Sequence, residues 1–82
     1  MTRDQIQTIT LEILSQIAPD ADLDNLDSAQ SFRDQFEFDS VDYLNFVLTL
    51  EKRLEIKIPE IECPQLASLD GCLTYLTEKL GT

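Results

Sequence analysis

Asp39-Ser40-Val41 stands at the junction between a polar, acidic stretch and a strongly apolar one. A serine placed there holds its hydroxyl at the positive end of a predicted helix, where an incoming group can reach it. The chain has no histidine to take the proton of such a hydroxyl, so a histidine-activated nucleophile is not expected. Taken alone, the dipeptide reads first as a helix start: Asp and Ser are both favoured N-caps, and Asp39 followed by Asp42 resembles a capping box.

The other residues with chemical potential are weaker candidates. Cys63 precedes a proline and Cys72 falls on an apolar helix stripe. Two thiols make neither a disulfide framework nor a metal site, and they read as free cysteines. Asp20, Asp22 and Asp24 have the opening spacing of a calcium loop. The place that needs Gly for the sharp turn holds Asn25, and the place of the bidentate Glu holds Ser31, so a high-affinity calcium site is not expected. No metal ligands are assigned.

With 82 residues the chain is expected to be one small domain over 1–82, with little room for both a stable core and a deep catalytic cleft. Hydrophobic content of 43% is that of a globular domain. The formal charge of −10 excludes nucleic acid as a partner, since phosphates would be repelled, and directs the protein toward basic partner surfaces. No apolar run approaches the roughly 20 residues of a membrane span, and no signal-peptide pattern opens the sequence. A cytoplasmic monomer without catalysis of its own is the expectation.

Hydrophobic spacing then supplies the elements that must position Ser40. Ile6, Ile9, Ile13, Leu14 and Ile17 form one stripe, predicting a first helix from Thr2 or Arg3 to Ala18, capped by Thr2 and ended by Pro19. A long acidic connection runs from Pro19 to Asp39 with no sustained period; Leu23, Leu26, Phe32, Phe36 and Phe38 are its expected ties to the core. The second helix spans Ser40 to Leu54. Tyr43, Phe46, Val47, Leu50 and Leu54 cluster on one side, and Val41, Leu44 and Leu48 widen the apolar surface past half the circumference. Such a helix is expected to be central to its bundle or to line a cavity. Ile56, Ile58 and Pro59 leave it in extended form, Ile61 to Ala67 form a short turn or helix, and Ser68 caps a last helix striped by Leu69, Cys72, Leu73, Leu76 and Leu80, with Gly81 as its stop. The fold class is all-α: a small four-helix bundle of three longer helices and one short one, with a long loop between helices one and two.

Within this frame, Phe38-Asp39-Ser40-Val41-Asp42-Tyr43-Leu44 resembles the Asp-Ser-Leu motif of acyl carrier proteins. The resemblance continues through Leu50-Glu51-Lys52-Arg53-Leu54-Glu55-Ile56-Lys57-Ile58-Pro59, similar to that family's leucine- and glutamate-rich helix end and its Ile-Pro entry into the next helix. The first-helix pattern, the acidic loop and Ser68-Leu69 also fall where the family has them. The resemblance implies that Ser40 carries 4′-phosphopantetheine, transferred from coenzyme A by a phosphopantetheinyl transferase that supplies the activation. It further implies acyl transport as thioesters in fatty-acid, lipid or polyketide-type biosynthesis. The partners so implied are acyl-transferring, ligating or condensing enzymes with basic docking surfaces, meeting Asp39, Val41, Asp42, Asn45 and Glu51. The phosphate would lie at a helix N-terminus, which favours negative charge, although Asp39 repels it.

Carriers of this family can sequester an acyl chain between helices; the candidate lining here is Leu44, Val47, Leu48, Ile58, Leu69, Leu73 and Leu76, residues that equally suit a plain core. Two departures from the family pattern stand out. Phe38 replaces a small residue or Gly before the motif, and its bulk is expected to narrow which transferase or partner fits. Asn45, Lys52 and Arg53 interrupt the acidic strip of the second helix, which favours a specialised carrier. An aminoacyl or peptidyl carrier is the alternative, followed by an unmodified acidic docking module.

Overall fold

Thr2 opens the first helix through a reciprocal pair of bonds: its Oγ1 accepts the Gln5 N–H at 3.2 Å, and Gln5 Oε1 accepts the Thr2 N–H at 2.8 Å. In the computed structural model, which describes residues 1–81, the elements are α1 (Arg3–Ile17), α2 (Phe32–Gln35), α3 (Ser40–Leu54) and α4 (Leu69–Leu80), with 3₁₀ segments at Leu23–Asn25 and Glu60–Leu66. The protein is an all-α bundle of three long helices completed by the shorter 3₁₀ helix; the described residues contain no strand, only an isolated bridge between Ser31 and Ser68. Among the described residues, no helix is long and apolar enough to cross a membrane.

The central element is α1, which packs against both α3 and α4, while α4 also packs on the 3₁₀ helix. Of the two alternatives expected for the second helix, the central position falls to α1, while α3 contributes Ser40 and Tyr43 to the lining of a cleft. α3 buries Phe46, Val47, Leu50 and Leu54, but Val41, Leu44 and Leu48 are 66%, 56% and 49% exposed. The extra apolar flank therefore faces solvent. On α1 the buried stripe is Ile6, Thr10, Ile13 and Leu14, with Ile9 and Ile17 half-buried. Thr10 can lie inside because its hydroxyl donates to the Ile6 carbonyl at 2.8 Å, leaving no unpaired polar atom. Both cysteines are free; buried Cys72 directs its Sγ at the Leu66 carbonyl, 3.2 Å away.

The long connection is held by more than its apolar ties. Phe32 and Phe38 are buried, and Leu23, Leu26 and Phe36 pack partly against the core. Polar stitches fix the backbone between them. Gln35 Oε1 accepts the Asp27 N–H at 2.7 Å, while its Nε2 donates to the Asp27 and Gln30 carbonyls. Phe32 N–H donates to the Ala67 carbonyl at 2.8 Å and Asp70 N–H to the Ser28 carbonyl at 2.9 Å, joining the loop to the start of α4.

Two backbone positions are tightly constrained. α3 ends with Glu55 in the left-handed region at φ 53°, ψ 47°, and the Ile56 N–H returns to the Glu51 carbonyl at 3.1 Å. A Cβ on Gly71, in the first turn of α4, would lie 2.4 Å from the Gln65 carbonyl oxygen, so that helix meets the 3₁₀ segment backbone to backbone. Gly71→Ala should therefore destabilise the fold by about 1–3 kcal/mol, although Ala is the better helix former. Glu55→Gly should stabilise it by up to about 1 kcal/mol, since a Cβ is costly in the left-handed region. Urea unfolding midpoints at unchanged m-value test both.

Candidate functional site

The N-terminus of α3 is set by Asp39, whose extended backbone (φ −79°, ψ −177°) brings the chain into the helix and whose Oδ1 accepts the Asp42 N–H at 2.8 Å. Only this forward half of the expected capping box forms. Asp39 is thus a cap, a local role distinct from the recognition role expected from the sequence. Ser40 is the first helical residue and is exposed. The helix's own ladder begins with Tyr43 N–H to the Asp39 carbonyl at 2.9 Å. The Ser40 and Val41 amides precede that rung, at the positive end of the helix dipole.

Beneath Ser40 lies an aromatic cluster. Phe38 stacks edge-on against Phe32, Phe46 and Tyr43 with centroids 5.8, 5.9 and 6.0 Å apart, and lies 5.5 Å from Phe36. Phe38 is 4% exposed. Its bulk points into the core, so the expected obstruction around the serine is corrected: the ring is a footing for the site. Edge-to-face geometry at these separations stabilises aromatic pairs beyond simple burial.

Tyr43 links the site to the far wall. Its hydroxyl donates to the Cys63 carbonyl, and burial, aided by the nearby Cys63 and Cys72, pushes the phenol up to about 12, so it stays a donor at physiological pH. The Cys63 thiol is also pushed upward, by burial and then by the Glu51 and Glu60 carboxylates, making it a poor nucleophile. Between the walls opens a cleft of about 330 Å³ lined by Arg33, Phe38, Asp39, Ser40, Tyr43, Pro64 and Ala67. On the opposite side of residues 38–39, a shallower groove brings Arg33 together with Asp34, Glu37, Asp39 and Asp42.

The residues singled out in the sequence are thus partly assembled. Asp39, Ser40 and Val41 are exposed together at the head of α3, with Asp42 half-buried beside them. Asn45 is exposed farther along the helix. Glu51 is near the other end, where its Oε2 accepts the Ile58 N–H at 2.8 Å and fixes the extended exit from α3. Of the proposed acyl lining, Val47, Ile58, Leu69, Leu73 and Leu76 are buried in the common core. Leu44 and Leu48 lie outside it, their exposure forced by the packing of α3 through Phe46, Val47 and Leu50. Arg53 pairs with Glu12 at 3.1 Å, tying α3 to α1 in addition to standing at a helix C-terminus.

No family model matches the chain. Curated relatives nevertheless share one name. The chain is 29% identical over 73 residues to an acyl carrier protein of Campylobacter fetus, covering 89% of this chain and 88% of that one. It is 28% identical over 78 residues to an acyl carrier protein of Rubrobacter xylanophilus, covering 90% and 85% respectively. It is 26% identical over 81 residues to the polyketide-8 synthase acyl carrier protein 2 of Streptomyces avermitilis, covering 99% and 87%. The similarity to acyl carrier proteins therefore runs through most of the chain at modest identity, and it includes the helix that presents Ser40.

Arg33, Pro64 and Ala67 are the cleft residues that the sequence reading left out. Arg33 was visible as the lone cation of the acidic connection, but its nearness to Ser40 depends on the one-turn helix α2. The capping role of Asp39 separates from its charge by substitution. Asp39→Ala should cost about 1 kcal/mol, and Asp39→Asn should keep most of the cap while removing the carboxylate. Thermal unfolding of the two variants side by side checks this.

Proposed function

We propose that this protein is an acyl carrier protein whose 4′-phosphopantetheine arm is attached at Ser40. The observation that carries the reading is the exposed Ser40 hydroxyl at the first turn of α3, beside an open cleft, in a chain similar along most of its length to proteins named acyl carrier protein. The residues present fit the group. The helix N-terminus and Arg33 favour a phosphate at Ser40, and the largely apolar cleft wall offers room beside it. When bound, the arm supplies a thiol that holds an acyl group as a thioester.

The chain's own part is presentation. Ser40 Oγ forms a phosphoester bond as the pyrophosphate of coenzyme A breaks and its nucleotide half leaves. The Ser40 proton passes to a base of the transferase, since this chain has no histidine. Asp39 holds the helix start in place throughout, and the exposed Val41, Leu44 and Leu48 with Asn45 offer a mixed apolar and polar face to acyl-handling enzymes. With a charge of −10, partners with basic surfaces are steered toward it. The relatives' names favour an acyl cargo over an aminoacyl or peptidyl one. The reading takes residues 1–82 as one carrier domain.

Incubation with coenzyme A and a broad-specificity phosphopantetheinyl transferase should add the mass of one phosphopantetheine to the wild-type protein and none to Ser40→Ala, which should keep the wild-type circular dichroism spectrum. Modification of Ser40→Ala at another residue would refute the site. Absence of any gain in the wild type, with transferases from the source organism as well, would leave an unmodified docking module.

A further inference from the structure

The cleft beside Ser40 contains one cation. Arg33 sits on α2, is exposed, and lines both this cleft and the acidic groove behind it. Among the described residues the one salt bridge joins Arg53 to Glu12, so Arg33 is paired with none of the carboxylates around it, Asp34, Glu37, Asp39 and Asp42 included. This guanidinium, left unpaired among acids in a chain with six cations against sixteen anions, lines the same cleft as Ser40, where a further anion would be added. Apart from Asp39 and Ser40 themselves, the remaining cleft wall is apolar or aromatic: Phe38, Tyr43, Pro64 and Ala67.

Resting on the carrier reading, we propose that Arg33 is a phosphate clamp: its guanidinium pairs with the phosphodiester at Ser40 and draws the pantetheine arm into the cleft, against Tyr43, Pro64 and Ala67. The pairing answers the electrostatic difficulty of the site. Asp39 is committed to the cap and cannot move away from Ser40, so the repulsion it exerts on a phosphate must be offset by another group. Arginine suits this task because its planar fork can hold two phosphate oxygens at once, which lysine does as a point charge only. α2 is placed to deliver it, since Phe32, the residue before Arg33, is fully buried against Phe38 and Phe46, and the Phe32 N–H is fixed to Ala67 on the opposite wall. The apolar wall then takes the dimethyl-bearing part of the arm.

The test uses the isotopically labelled protein carrying the arm, its loading verified by mass. The readouts are the phosphorus resonance of the phosphodiester and nuclear Overhauser contacts from the arm's methyl groups to Tyr43 and Ala67. The expected result is clear contacts in the wild type, their loss in Arg33→Gln together with a shifted phosphorus line, partial recovery in Arg33→Lys, and no change in Arg53→Gln. Arg33 is exposed, so these variants should fold as the wild type does. An unaltered phosphorus line and unaltered contacts in Arg33→Gln, or no contacts in the wild type, would overturn the clamp while leaving the carrier reading intact. Failure to load the wild type would show in the mass before any spectrum and would overturn both.

Discussion

The edge-on packing of Phe38 under the head of α3 is the contact on which the site depends. Phe38 meets Phe32, Phe36, Tyr43 and Phe46, so one ring joins the long connection, the one-turn helix α2 and the helix that bears Ser40. A connection of this length would ordinarily be mobile. Here Phe38 is buried and Phe36 half-buried near its end, and Asp39 and Ser40 leave the core from that anchor. A smaller residue at 38 would leave a void among large rings, where lost contacts are costly.

α3 is then held at both ends to the segment that follows it. Near its start Tyr43 donates to the Cys63 carbonyl; near its end Glu51 accepts from Ile58. These two ties fix the segment that supplies Pro64 and Ala67 to the far wall of the cleft beside Ser40. Tyr75 adds a third support: its hydroxyl reaches Glu62 at 2.5 Å, with burial and then that bond pushing the phenol up to about 12. Several carboxylates that look like surface charge therefore hold backbone or side chains in place. Asp39 caps α3, Asp27 accepts the Ala29 N–H, Asp70 meets Ser28, and Glu51 and Glu62 brace the 3₁₀ segment.

The sequence carried the helices plainly. Thr2, Ser40, Ser68 and Gly81 mark element ends within a residue of where they fall, because caps and apolar periods are local signals. It misplaced the centre of the bundle. A helical wheel ranks faces by composition, and the wheel of α3 carries more apolar surface than its neighbours can cover; α1, with a narrower stripe, packs against both α3 and α4. The burial of Thr10 was hidden for a related reason, since its bond to Ile6 removes a cost that residue type alone assigns. Of the cleft lining, Asp39 and Ser40 were singled out from one dipeptide in context. Arg33 comes from one stretch and Pro64 and Ala67 from another, and only the docking of α2 on the segment leading into α4 makes them neighbours. Gly71 was equally silent: nothing local tells that a carbonyl of the preceding segment passes where its Cβ would be.

The protein carries a charge of −10, and its described residues form one salt bridge, itself exposed. Folding thus gathers like charges into a small volume with almost no internal neutralisation, and the native state holds electrostatic tension against its own expansion. Anything positive that settles on the surface relaxes that tension. A basic enzyme face binding the native form would do so most, and by linkage it would strengthen the fold as it binds. Binding of a basic surface and folding are thus coupled with the same sign: a positive surface that grips the native form would also hold it together more tightly.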